Sequence, residues 1–160
     1  MKKLFIFFTL LSIFNSCTSD SEEDFSDLLS GIWANNSAIE NSNLSQSFQY
    51  DFNPDSTFTV STIIQDEANV LLGYRYFASG NYEVNGDRLT LNLLEIFIHN
   101  DSNTLFSSFE DLEMQEANQQ RIFTFSIDGD TLTFTFPPCG PNELCITSQS
   151  FQRIEELIID

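Results

Sequence analysis

The side chains best suited to catalysis in this sequence surround its one histidine. His99 is flanked by Asn100 and Asp101, and an imidazole there has the chemistry of a general base or a metal ligand. A lone histidine at the end of a predicted strand is more typical of a solvated loop. The sequence contains no Gly-x-Ser-x-Gly, no His-Glu-x-x-His and no phosphate-binding loop. We therefore predict that the protein is not an enzyme; a hydrolase assembled only by folding is the alternative.

A second pattern with possible chemistry is a short series of oxygen ligands. Asp51, Asn53 and Asp55 have the spacing that opens an EF-hand calcium loop. Ser56 stands where that loop needs glycine, and Thr62 stands where it needs a bidentate glutamate. The pattern therefore predicts a turn between two strands, and we expect neither a metal nor a cofactor.

The first residues of the chain indicate where the protein is located in the cell. Lys2 and Lys3 precede an apolar run over residues 4–14, and small or polar residues follow. A positive start and an apolar stretch of this length are typical of a secretory signal peptide, and the stretch is too short for a membrane span. We predict export, with residues 1–16 removed.

The residues around Cys17 resemble the processing site of bacterial lipoproteins, in which this cysteine becomes the new N-terminus and carries acyl chains. Ser16 fits that pattern, whereas Phe14 and Asn15 stand where leucine and a small residue are usual. The resemblance implies a lipidated Cys17 and a lasting membrane anchor. An ordinary secreted protein with Cys17 free or paired is the alternative.

Residues 17–27 are predicted to be the lipidated cysteine and an acidic tether. They are polar and lack an apolar period, so they cannot bury enough surface to offset the entropy of ordering. The acidic stretch resembles a signal by which some Gram-negative bacteria display lipoproteins on the outer membrane surface. A spacer facing the periplasm is the alternative.

The charge of the mature chain restricts its partners. Removal of the signal leaves four basic residues against all 24 acidic ones, a net charge of −20. Such a surface repels phosphate backbones, so we exclude nucleic acid as a partner. Solubility at a crowded cell surface is the simplest reason for the charge.

The remaining cysteines form an even pair, Cys139 and Cys145. Two ligands without a neighbouring histidine are too few for a zinc site. An oxidising envelope favours a disulfide between them, with a structural contribution of about 2 kcal/mol for so short a loop.

From Phe48 onward the apolar period is two, which is typical of antiparallel strands with one buried face. The Asn-Gly and Asp-Gly pairs at 85–86 and 128–129 predict tight hairpin turns. The mature chain keeps 13 phenylalanines, most of them at inward positions. An all-β, antiparallel up-and-down barrel over residues 28–160 is therefore predicted. Its eight strands are expected at 31–34, 46–53, 57–65, 72–84, 88–98, 121–127, 131–136 and 144–153.

Residues 101–120 interrupt this pattern and contain an acidic run. Leu105, Phe109, Leu112 and Met114 fit one face of a short helix, and a long loop is the alternative. The segment can cap the mouth of the barrel or form a surface excursion. The carboxylates at 110–116 are predicted to be a solvated face, since no partner for acid–base work accompanies them.

The first strand resembles the Gly-x-Trp signature of the lipocalins. In that family the tryptophan closes the base of the barrel and an arginine of the last strand lies across it. Gly31, Trp33 and Arg153 match these positions, and the resemblance implies that they close the barrel here. The wider pattern resembles small bacterial lipocalin-like lipoprotein domains, with its further pieces at 50–58, 80–91 and 151–153.

Together these observations predict a lipid-anchored envelope protein of a Gram-negative bacterium that binds a small apolar ligand inside its barrel. The alternative is a structural or protein-interaction module with a filled barrel, whose partner surface lies on the 101–120 insertion. In the first case, inward side chains in the middle of the strands line the ligand. These ligand-binding candidates are Phe58, Tyr82, Leu91, Phe125 and Phe134.

Overall fold

The structure is a computed structural model, and it describes residues 25–137 and 146–154. Cys17, Cys139 and Cys145 lie outside these residues, so the predicted lipidation and disulfide stay predictions. The described chain begins with a short helix, α1 (Phe25–Leu29), and continues in nine strands. The strands are β1 (Gly31–Ala38), β2 (Ser45–Phe52), β3 (Thr57–Gln65), β4 (Leu71–Asn85), β5 (Arg88–Ile98), β6 (Glu113–Gln115), β7 (Gln119–Asp128), β8 (Thr131–Thr135) and β9 (Ser148–Ile154).

Eight of these strands form a closed antiparallel ring. Each strand pairs with its neighbour in the order β1-β2-β3-β4-β5-β7-β8-β9, and β9 pairs with β1 to complete the circle. The short β6 pairs with the last part of β5. This arrangement confirms the predicted all-β, up-and-down barrel of about eight strands. No helix within the described ranges has the length and apolar composition of a membrane span.

The pairing register explains why alternate residues are apolar. Residues paired across antiparallel strands share a face, so inward positions form rows around the ring. One such row consists of residues that are at most 5% exposed: Trp33, Tyr50, Val60, Ala78 and Ile96. The alternation seen in the sequence is therefore the alternation between barrel interior and exterior.

The hairpins bend where the backbone takes a positive φ. Asn85 pairs with Arg88 and Asp128 with Thr131, so the two-residue loops are Gly86-Asp87 and Gly129-Asp130, one residue later than the predicted Asn-Gly and Asp-Gly turns. The glycine that opens each loop has a positive φ, 60° at Gly86 and 56° at Gly129. In the hairpin that joins β2 to β3, the Asp55 carboxylate accepts hydrogen bonds from the Thr57 hydroxyl and amide. These hydrogen bonds hold the pKa of Asp55 below its usual range. The calcium-like pattern thus forms a turn.

The insertion at 101–120 is mostly loop, with one 3₁₀ turn at Phe109–Asp111 and the strand β6. The helix predicted as one option does not form. Leu112 is 8% exposed whereas Met114 is 64% exposed, so the apolar residues do not share one face. Phe109 packs on an aromatic cluster outside the barrel, with ring centroids 5.0 Å from Phe77 and 5.8 Å from Phe97.

Two elements were not predicted from the sequence. Both α1 and β6 are too short to show a hydrophobic period, since α1 has five residues and β6 has three. The last strand, predicted at 144–153, corresponds to β9, which starts at Ser148.

Candidate functional site at the rim of the barrel

One end of the barrel is sealed by Trp33, Arg153 and α1. The Arg153 guanidinium carbon lies 4.1 Å from the centroid of the Trp33 ring, the stacking that the lipocalin resemblance implied. The guanidinium also donates to the carbonyls of Ser30 and Leu28, at 2.6 and 2.7 Å. The Trp33 indole donates to the carbonyl of Leu29 at 2.7 Å, and both residues are fully buried. This end is therefore closed to ligands.

Gly31 makes room for this closure. Its φ is 115°, and a Cβ added there would lie 2.8 Å from Arg153 Nη1. A side chain at this position would strain the backbone and displace the guanidinium from Trp33. The Gly-x-Trp spacing is thus explained by the Arg153 contact.

The five predicted ligand-binding side chains are placed in the packed core. Their exposures lie between 0 and 5%, and all five belong to one cluster of buried residues. A side chain that lined a cavity large enough for a ligand would keep surface accessible to water, and Phe58, Leu91 and Phe134 keep at most 1%. We therefore assign a packing role to the whole set: Phe58, Tyr82, Leu91, Phe125 and Phe134.

The opposite end of the barrel, which we term the rim, differs in burial. The next inward row consists of residues that are half-buried or exposed: Asn35, Phe48, Thr62, Tyr76 and Ile98. We term these five residues the rim row. Phe136 is also half-buried, and it packs with Phe48, Tyr76 and Ile98 against the edge of the core. The interior thus keeps half-buried apolar side chains at the rim, whereas at the sealed end, where Val84 and Ile127 are also half-buried, Trp33 and Arg153 close it.

Arg121 lies among these rim residues. It pairs with the buried Leu91 and is two residues from the buried Phe123, so it occupies an inward position of β7. Its guanidinium faces the phenols of Tyr50 and Tyr76 and is exposed at the rim. Among the residues that the structure describes, no carboxylate lies within 4.0 Å of this guanidinium.

The Tyr76 hydroxyl is shielded from water and has no hydrogen-bond partner in the described part of the chain. Arg121 is near enough to lower the pKa of Tyr76 through its charge and as a side-chain hydrogen-bond donor, although the pair falls outside strict hydrogen-bond geometry. Burial raises the pKa of Tyr76, and it raises the pKa of Tyr50 to about 12; Arg121 opposes both shifts only in part. Both phenols are therefore protonated at neutral pH and available as donors.

Tyr50 gives the barrel a predicted weakness at alkaline pH. Its folded pKa of about 12 lies above the ordinary 10.0, so it contributes stability below pH 10 that is lost as the pH rises towards 12. We expect this loss to be about 3 kcal/mol of unfolding free energy. Urea unfolding at a series of pH values would measure it. The Tyr50→Phe variant should flatten the curve in this window; an unchanged alkaline loss would contradict the assignment.

A polar pocket of about 380 Å³ lies in the insertion, lined in part by His99, Asp101 and Glu113. Nε2 of His99 lies 2.9 Å from the Thr104 carbonyl, and Nδ1 lies 3.2 Å from the Ser107 hydroxyl. With Nε2 donating to the carbonyl, both ring nitrogens are engaged in holding the loop. This arrangement favours a structural role for His99 over that of a general base.

The carboxylates of this region are engaged locally as well. Asp101 accepts hydrogen bonds from the backbone and side-chain amides of Asn103, which hold its pKa below the usual range. Ser108 donates to Asp111 at 2.9 Å. Within residues 25–137 and 146–154, no three His, Cys, Asp or Glu side chains come together as a metal site.

A scan against models of protein families finds no match to this chain, and searches of curated proteins and of solved structures find no significant similarity.

Sequence reasoning missed Arg121 and Tyr76 as site residues. A signal for Arg121 was present, since it is one of four arginines and it falls two positions before Phe123 in a strand of alternating period. The alternation of this strand predicts that the charged Arg121 side chain points into the barrel, and charged residues are unusual in a barrel interior. Tyr76 offered no comparable signal, because its unpartnered hydroxyl is a property of the packed structure.

Proposed function

We propose that this chain is a lipid-anchored cell-envelope protein of a Gram-negative bacterium that binds a small apolar ligand, without catalysis, at the rim of its barrel. The anchor is supported by the signal-like residues 1–16 and by the lipoprotein-like surroundings of Cys17. The binding site is supported above all by one observation. The half-buried apolar side chains at the rim face into the barrel above a core that is already filled.

Apolar surface that faces inward yet stays accessible is what a small ligand requires. Burying it on a ligand removes it from water at about 25 cal/mol per Å². At the sealed end Val84 and Ile127 are also half-buried against the core, but Trp33 and Leu29 are fully buried there and close the interior. The proposal therefore retains the ligand predicted from the sequence and moves it from the middle of the strands to the rim.

One experiment tests both parts of the proposal. The full chain, produced in a Gram-negative host and released from membranes in a mild detergent, is weighed by native and by denaturing mass spectrometry. We expect a covalent excess mass on a chain that starts at Cys17, and it should survive denaturation. We also expect a second, non-covalent mass that denaturation removes.

The covalent mass tests the lipid anchor and the non-covalent mass tests ligand binding, and each part of the proposal can be contradicted without the other. A chain of unmodified mass would contradict the lipid anchor. A chain with acyl mass but no additional mass in any detergent, also after incubation with dodecan-1-ol, would contradict ligand binding. That result would favour a module whose function lies on the outside of the barrel, where the insertion exposes Met114.

A further inference from the structure

The charge of Arg121 is not balanced within the described chain. The other arginine that faces a ring, Arg153, stacks on Trp33, donates to two carbonyls and has Asp130 at 3.9 Å. Arg121 has no carboxylate within that distance in the same part of the chain, although the sequence holds 24 acidic residues. An inward guanidinium without an acidic partner has capacity left for an anion from outside the protein.

The Tyr76 hydroxyl adds a second unused group. Buried hydroxyl groups almost always have a hydrogen-bond partner, and one without a partner costs about 1–3 kcal/mol. This hydroxyl lies on the rim row and faces Arg121, as does that of Tyr50 one inward row below. A guanidinium and two phenols supply only hydrogen-bond donors to an anion at neutral pH.

We propose that Arg121 and Tyr76 bind the carboxylate of an amphipathic ligand, a monocarboxylate with an apolar tail. The inference rests on the proposed function and specifies its ligand class. The planar carboxylate matches the two parallel N–H groups of a guanidinium, and the Tyr76 hydroxyl donates to one of its remaining lone pairs. The tail lies against Phe48, Ile98 and Phe136, which keep accessible apolar surface around the charged group.

The acidic surface of the protein does not prevent this contact. Interactions between exposed charges are screened beyond about 8 Å at physiological ionic strength, whereas a bound carboxylate touches Arg121 directly. The negative field of the protein lowers the association rate of an anionic ligand, and the contact with Arg121 determines its dissociation rate.

The test compares two ligands that differ only in the head group, dodecanoate and dodecan-1-ol, both below their aggregation limits. Each is titrated against residues 18–160, loaded with a neutral fluorescent dye such as Nile red, and displacement is measured. This chain contains every strand of the ring, since all of them lie between Gly31 and Ile154. We expect dodecanoate to bind about tenfold or more tightly than the alcohol.

Three variants separate the head group from the tail. Arg121→Gln should remove the preference for the acid and leave the affinity for the alcohol unchanged. Tyr76→Phe should weaken the acid alone, and it should not destabilise the barrel because the lost hydroxyl has no partner. Arg88→Gln removes the same charge from an exposed residue near the sealed end, so it should change neither affinity.

The outcomes distinguish this inference from the proposed function. Equal binding of acid and alcohol by the wild type would overturn the carboxylate site and leave the apolar site intact. The same holds if Arg121→Gln weakens both ligands alike. If neither ligand displaces the dye, the proposed function fails, and the carboxylate site fails with it.

Discussion

Replacing Trp33 with alanine is expected to lower the free energy of unfolding by about 3–5 kcal/mol, a large part of the 5–15 kcal/mol typical of a domain. The indole is fully buried, donates to the Leu29 carbonyl at 2.7 Å and carries the Arg153 guanidinium on its face. Alanine leaves a cavity, an unpaired carbonyl and a guanidinium without its aromatic platform. Urea unfolding of residues 18–160 at neutral pH measures the loss.

Two further variants divide this effect into its parts. Trp33→Phe keeps a ring under Arg153 but loses the indole donor, so we expect a loss between those of wild type and alanine. Arg153→Gln keeps the indole and loses the stacked cation, at a cost of about 1–2 kcal/mol. Ile122→Ala, at a residue that is 38% exposed, is the matched control. If Trp33→Ala behaved like this control, the sealed end would not support the barrel.

The second large effect is expected from two phenylalanines, Phe134 in strand β8 and Phe136 directly after that strand. Phe134 is fully buried, with ring centroids 4.5 Å from Phe123 and 5.2 Å from Tyr50 and Phe151. Phe134→Ala should therefore cost about 3–5 kcal/mol of unfolding free energy. Dodecan-1-ol affinity, measured by dye displacement on the variant that remains folded, should change little.

Phe136 should show the opposite pattern. It is half-buried at the rim and lies 5.6 Å from Phe123, so Phe136→Ala should cost about 1 kcal/mol of stability. Its dodecan-1-ol affinity should fall more than that of Phe134→Ala, because the apolar surface it removes is the surface offered to the ligand. If Phe134→Ala weakened the ligand more than Phe136→Ala at little cost in stability, the ligand would bind in the middle of the barrel.

The barrel was predictable because its signals are local. Strict alternation over β2, β3 and β7 places every second side chain on one face, whatever the rest of the chain does. The positive φ at Gly86 and Gly129 follows from the residues of the turns themselves. Closure of the ring was inferred from the number and order of the strands. The Arg153–Trp33 contact spans 120 positions of the sequence, and it was reached only through the resemblance to the lipocalins.

The position of the candidate site was not predictable in the same way. Alternation gives the face of a residue but not its depth, so Phe134 and Phe136 look equivalent in the sequence while one is buried and the other half-buried. Depth is set by how far each strand extends beyond its neighbours around the ring, which is a property of the register. The ligand-binding prediction selected inward residues, and the structure places all five of them in the packed core.

The sequence by itself determined the eight strands of the ring, their turns, the inward face and the overall charge, because each depends on residues close together in the chain. Only the tertiary structure decided which end of the barrel is sealed and which inward residues stay accessible. It also decided that the one inward arginine at the rim faces two tyrosines. These features depend on pairing between strands as distant as β2, β4 and β7, and no local pattern encodes how such strands align.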